Sequence, residues 1–225
     1  MNVLRNHGWR IVLLASAVAM LNGGRLHPAS DAADPMRKEL AVMTSDPSWV
    51  PGHTLVVAAT VLLVVGLRLA LRREPWPTTA RRALQVGSLV LAAYVVETVF
   101  HLAAAVDSSE LAAGESAPVA MTHLYLAAVL YPASGLAIAY LADTLGRGWS
   151  RGRRVIAYAG VLAGLLHAVS APMTFAVPDL EMTPVFAAAG VLISVWTVGL
   201  AFMPSPRRQS LATPPVIAAS AVSGR

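Results

Sequence analysis

The sequence contains no cysteine among its 225 residues. This absence excludes disulfide bonds, thiolate metal sites, iron–sulfur clusters and covalently attached c-type haem. Any metal ion or haem must therefore be held by histidine, methionine, carboxylate, tyrosine or backbone groups.

Charge is also scarce: only 13% of the residues are charged, while 56% are hydrophobic and the mean hydropathy is +0.61. A soluble domain carries about 25% charged residues, because its surface faces water. The composition therefore predicts an all-α fold, a polytopic transmembrane helical bundle forming one domain over residues 1–203. The net charge is +5, but the arginines lie between apolar blocks, so no nucleic-acid binding is predicted.

Six apolar blocks predict about six spans. A helix needs about 20 apolar residues to cross the hydrocarbon core of a bilayer, and five of the blocks reach that length. The predicted spans are 9–21, 52–71, 83–106, 119–141, 155–173 and 184–203.

The first block is shorter and has an alternative interpretation. Arg5 and Arg10 precede the apolar run 11–21, which contains the Ala-Val-Ala sequence at 17–19. These features are also typical of a cleaved signal peptide. We favour a retained span, and both interpretations leave the other five spans with the same orientation.

Arginine placement predicts the orientation of the spans. Segments 72–82 and 147–154 each carry four arginines, and Arg207 and Arg208 follow the last span. The alternate connections, 107–115 and 179–181, are acidic. Because basic loops stay in the cytoplasm, the N- and C-termini are both expected to be cytoplasmic. The expected location is a cell membrane, namely the bacterial inner (plasma) membrane.

Two segments outside the spans carry further expectations. In the outer loop 22–51, Asp34 followed by Pro35 predicts the start of a short helix. This helix is expected to lie on the membrane surface, with Leu40 and Met43 facing lipid; an ordinary loop is the alternative. Residues 204–225, rich in Pro, Ser, Thr and Ala, are expected to form a disordered cytoplasmic tail.

Polar residues within the spans form the strongest functional signal. Of six histidines, four lie in or at the ends of predicted spans, and one carboxylate lies deep in a span. At 1.5 Å per residue, the predicted topology places all five roughly 3–14 Å below the outer membrane boundary. They are His53, Glu97, His101, His123 and His167.

Helical spacing indicates where some of these side chains point. Glu97 and His101 are four residues apart and share one face of the third span. In the fifth span, Gly160 and Gly164 form a small-xxx-small pair, which lets helix backbones approach closely. His167 falls on the same stripe and is expected to face another helix. Pro132 is expected to interrupt the fourth span.

Strongly polar groups in hydrocarbon need partners, because each costs roughly 2.5–3.5 kcal/mol at a helix centre. Imidazole and carboxylate bind transition metals such as Zn, Fe or Cu, and two facing imidazoles can ligate a non-covalent b-type haem. We therefore predict a cofactor site at His101, His123 and His167, with His53 and Glu97 as further metal ligands. The bland alternative is a polar network that only holds the helices together.

Several functions fit this pattern. The first is a metal- or haem-binding protein whose redox or metal-assisted chemistry acts on a quinol or lipid substrate near the outer face. The second is a proton-coupled transporter or carrier, since imidazole titrates near neutral pH. The third is a non-catalytic scaffold or partner subunit. A histidine-bound zinc hydrolase with Glu97 as general base is a fourth possibility.

Overall fold

The computed structural model of this chain describes residues 2–28, 34–177 and 180–204, and all regular secondary structure within these ranges is helical. The side chains of residues 2–6 are not described. The helices are α1 (Asn2–Arg25), α2 (Met36–Ser45), α3 (Trp49–Arg73), α4 (Thr78–Ala103), a 3₁₀ turn (Ala104–Asp107), α5 (Ser108–Ala113), α6 (Pro118–Gly146), α7 (Arg151–Ala176) and α8 (Thr183–Ala201).

Five of these helices are long and apolar enough to cross a membrane: α3, α4 with its continuation to Ala113, α6, α7 and α8. Even the shortest, α8, has 19 residues, about 28 Å at 1.5 Å per residue, which matches the hydrocarbon core. By length and hydropathy the chain is a multi-pass membrane protein. The five longer predicted spans are confirmed as helices, each extending close to or beyond its predicted ends.

Helix α1 packs against α3 and α8. Trp9 and Leu13 are buried in the main apolar core, and the Ser16 hydroxyl donates a hydrogen bond to the Ala59 carbonyl of α3 at 2.8 Å. Arg10 donates to the Ala201 carbonyl of α8. The expectation that this segment is retained as a first span stays a prediction, as does the cytoplasmic location of both termini.

Helices α6 and α7 approach each other closely at two glycines. A Cβ atom at Gly135 would lie 2.5 Å from the backbone nitrogen of Ala168, and one at Gly164 would lie 2.6 Å from that of Ala139. The two backbones are therefore in direct contact, as the small-residue spacing in α7 predicts. One turn earlier, Gly160 leaves room for two side chains, those of Trp196 in α8 and Ala142 in α6.

A small cap covers the end of the bundle at which α3 begins, α4 ends and α6 begins, called here the histidine end. Helices α2 and α5 pack together over it. The short helix predicted after Pro35 is confirmed, but Leu40 is buried in an apolar cluster. It packs against protein rather than lipid, because α5 supplies a covering surface that the local sequence does not reveal. Met43 is partly buried against the same cluster.

Two other expectations meet the structure differently. Pro132 lies inside α6, which runs without a break from Pro118 to Gly146, so the predicted interruption of the fourth span is wrong. A proline removes a single backbone hydrogen-bond donor. The other hydrogen bonds and the packing of a long helix can keep it continuous. The predicted disordered tail, residues 205–225 in particular, lies outside the described residues.

Candidate metal centre

Imidazole rings from four segments meet at the histidine end. His27 follows α1, His53 lies in the first turns of α3, His101 in the last turn of α4, and His123 near the start of α6. Successive ring centroids are 5.0 Å apart from His27 to His53, 4.4 Å from His53 to His101, and 4.0 Å from His101 to His123. Antiparallel neighbours bring these residues to one level, although they are far apart in the sequence.

The first group of potential ligands is Glu97, His101 and His123, called here the inner group. Oε1 of Glu97 lies 2.8 Å from Nδ1 of His123 and 3.8 Å from Nδ1 of His101. The ligand atoms of all three residues lie within 4.8 Å of one another. Ligands at 2.0–2.2 Å from a tetrahedral ion are roughly 3.3 Å apart, so this group is close to the spacing that one ion requires.

The second group is His27, His53 and His101, called here the outer group, and its ligand atoms also lie within 4.8 Å of one another. His53 is buried, whereas His27 is exposed at the surface. Desolvation by the surrounding protein nevertheless lowers the pKa of His27 below its ordinary value, and a hydrogen bond with the Pro28 carbonyl opposes this shift. His101 belongs to both groups, which therefore adjoin one another.

Hydrogen bonds to the backbone define the proton positions on two of the rings. Nδ1 of His53 lies 2.8 Å from the Trp49 carbonyl oxygen, and Nδ1 of His27 lies 2.9 Å from that of Pro28. A carbonyl only accepts, so each Nδ1 carries the hydrogen and each neutral ring keeps its lone pair on Nε2. Metal-binding histidines are typically oriented by such a hydrogen bond from the non-ligating nitrogen.

Four buried polar atoms in this cluster have no hydrogen-bond partner: Nε2 of His53, Nδ1 of His123 and both carboxylate oxygens of Glu97. The 2.8 Å contact between Glu97 and His123 lacks the direction of a hydrogen bond. A buried polar atom without a partner costs about 1–3 kcal/mol, and a charged one costs more. An ion bound by these atoms would give them a partner and so remove this cost.

The surrounding chain positions the ligands. The Trp49 ring packs on His53, with centroids 3.9 Å apart, and its indole nitrogen donates to the Leu102 carbonyl beside His101. At the start of α6, Oδ2 of Asp107 accepts hydrogen bonds from the backbone nitrogens of Val119 and Ala120 at 2.7 and 3.0 Å. Asp107 thus anchors the turn that precedes His123.

Replacing Asp107 with Ala should lower the stability of the folded protein by about 1–2 kcal/mol, the usual cost of losing a side chain that accepts hydrogen bonds from the first turn of a helix. The carboxylate is buried, so water would replace its two hydrogen bonds poorly. Thermal unfolding in detergent micelles would measure the loss. Asp107→Asn, which keeps one side-chain oxygen, should lie between Ala and wild type; equal stability of all three would contradict the capping role.

His167 belongs to neither group. Its ring stacks on Tyr131 at 4.5 Å and meets the edge of Tyr94 at 5.2 Å, while Nε2 is 3.2 Å from the Ser134 hydroxyl. The structure therefore brings together four of the five residues predicted as metal ligands: His53, Glu97, His101 and His123. The fifth, His167, lies on α7 against aromatic side chains of α4 and α6, so His101, His123 and His167 do not form one set.

His27 is the site residue that sequence reasoning missed. His27 lies in the predicted outer loop 22–51, where no helical periodicity indicates the direction of a side chain. One signal was available: the loop must return from α1 to the start of α3, close to His53. The proximity of His27 to His53 depends on how the loop connects two packed helices. The periodicity of residues within either helix does not predict it.

Comparison with known protein families, with curated proteins and with solved structures gives no match to this chain. The chemistry of the site is therefore what indicates a function.

Proposed function

We propose that this protein is a membrane metalloprotein that binds one divalent transition-metal ion at the histidine end of its helical bundle. Glu97, His101 and His123 are the resting ligands. The single observation that carries the proposal is the convergence of buried, unpartnered ligand atoms at this point. Imidazole and carboxylate together are suited to Zn, Fe, Cu or Ni.

The packing of the rings favours an ion over a b-type haem. Ligation of haem by two imidazoles requires a porphyrin between the rings, as wide as several side chains. His101 and His123 are stacked with centroids 4.0 Å apart and an angle of 20° between their planes. No plane of atoms fits between rings in direct contact. A single ion needs only a position beside the ring nitrogens and the carboxylate, with each ring turned so that its in-plane lone pair points at the ion.

Three protein ligands are typical of metal centres that keep an open coordination position. With such an ion bound, the site supplies Lewis-acid or redox chemistry at one leaflet. We propose that the arginine-rich ends of the helices are cytoplasmic and that the histidine end faces outward. A substrate would then come from the membrane or the outer aqueous phase, for instance a quinol or a lipid.

The test is metal binding by the purified, full-length protein after treatment with a chelator. Titration with Co²⁺ should show one ion bound per chain, with visible absorption bands typical of Co²⁺ held by nitrogen and oxygen ligands. Addition of Zn²⁺ should displace the Co²⁺ and abolish these bands. His123→Gln should reduce binding strongly. His167→Gln, a matched change at a buried histidine outside both groups, should leave the stoichiometry at one. Failure of the wild-type protein to bind Co²⁺, Zn²⁺, Fe²⁺ or Cu²⁺ would end the proposal.

A further inference from the structure

The two ligand groups differ in their access to solvent. His27, in the outer group, is exposed. The side chains of the inner group are progressively more enclosed, with exposed fractions of 15% for His101, 7% for His123 and 0% for Glu97. An ion arriving from water therefore meets His27 first and Glu97 last.

The two groups also differ in charge. Neutral imidazoles are the only ligands that the outer group offers, so a divalent ion there keeps its charge of +2. The inner group adds the carboxylate of Glu97, which reduces the charge of the complex to +1. A buried charge is expensive in a medium of low dielectric constant. The inner position is therefore the more stable one for an ion taken out of water.

His101 links the groups. Its ring centroid is 4.4 Å from that of His53 and 4.0 Å from that of His123. A neutral imidazole has one nitrogen with a free lone pair, so the same nitrogen of His101 must bind the ion at both positions. An ion held by His53 and His101 would then reach His123 and Glu97 by exchanging its other ligands. Only coordination bonds change in this exchange, since bonds to His27 and His53 are replaced by bonds to His123 and Glu97.

We infer that His27, His53 and His101 form an entry position through which a divalent metal ion passes to its resting position at Glu97, His101 and His123. This inference rests on the proposed function and adds the path by which the ion arrives. It assigns His27 a kinetic role: it captures the ion from water and does not hold it at rest.

The experiment compares His27→Ala with His7→Ala in the full-length protein. His7 is an exposed histidine near the opposite end of α1, so it is a matched control for loss of a surface imidazole. Stopped-flow mixing of the metal-free protein with Co²⁺ would give the association rate from the visible bands. Transfer of Co²⁺ to excess chelator would give the dissociation rate.

His27→Ala should slow association about tenfold, within the range over which association rates vary among variants of one site. His27 is expected to contact the ion only on its way to the resting position, so its removal changes neither the free nor the bound state. The association rate and the dissociation rate should therefore change by the same factor, and the Kd should be unchanged. His7→Ala should match wild type in both rates, and His27→Gln is the second variant should the Ala protein not fold.

Three results would overturn the inference while leaving the proposed function intact. The first is unchanged rates in both His27→Ala and His27→Gln. The second is weaker binding by these variants at equilibrium, which would make His27 a resting ligand. The third is two ions bound per wild-type chain, which would mean that both positions fill together. Absence of any Co²⁺ binding by wild type would instead reject the proposed function, and the entry position with it.

Discussion

Replacing Glu97 with Gln should weaken the binding of a divalent ion by about 100-fold or more, since changes at residues that merely support ligands already cost 10–100-fold. Glu97 is completely buried and is the only carboxylate in either ligand group. Its loss removes both a ligand oxygen and the negative charge that offsets the ion. Titration of the chelator-treated protein with Co²⁺ or Zn²⁺ would measure the change.

The same substitution should have the opposite effect on the metal-free protein. Oε1 of Glu97 lies 2.8 Å from Nδ1 of His123, but neither carboxylate oxygen makes a hydrogen bond, and a buried charge that its neighbours compensate poorly is unfavourable. The neutral amide should therefore make the metal-free protein at least as stable as wild type. With the ion at 100 times its Kd, wild type should gain about 2.7 kcal/mol, a gain that Glu97→Gln should lose.

This reversal of sign separates a metal ligand from a structural residue. If Glu97 only held the bundle together through His123, its replacement would destabilise the metal-free protein by about 3–5 kcal/mol, the cost of breaking a buried ion pair. Thermal unfolding with and without the ion would distinguish the two cases. Glu115→Gln removes a charge from an exposed position and should change neither binding nor stability.

Gly164→Ala should destabilise the protein by about 3 kcal/mol, at the upper end for an overpacked interior. The added methyl group would overlap the Gly135 carbonyl oxygen and lie 2.6 Å from the Ala139 nitrogen. Both contacts are with backbone, which cannot rotate away, so α6 and α7 must separate. In an isolated helix, replacing Gly with Ala stabilises the helix by about 1 kcal/mol. A loss of stability in the protein would therefore be due to the contact between α6 and α7.

Gly190→Ala is the matched control, because no atom lies within 4 Å of a Cβ placed there in α8. It should be neutral or slightly stabilising in thermal unfolding. Equal effects of the two substitutions would contradict a close crossing of α6 and α7. The crossing also holds His167 against Tyr131 and Ser134, so weakening it should disturb these contacts before it disturbs the inner group.

The sequence by itself determined the membrane class, the five long spans, and the pairing of Glu97 with His101. These are local properties: the length of an apolar run is set by the thickness of the bilayer, and residues four apart share a helix face. The shared level of His53, Glu97, His101 and His123 also followed from the sequence, because helix rise converts position into depth.

Only the tertiary structure decided which of these groups meet. It brought His27 in from a loop, turned His167 toward Ser134, and placed Leu40 against protein instead of lipid. The rotation of each helix about its axis and the path of each loop depend on contacts with distant elements, such as the glycine crossing of α6 and α7. The spacing of residues within a single helix predicts their depth in the membrane and the helix face that they share. It does not specify the neighbour that a given face will contact.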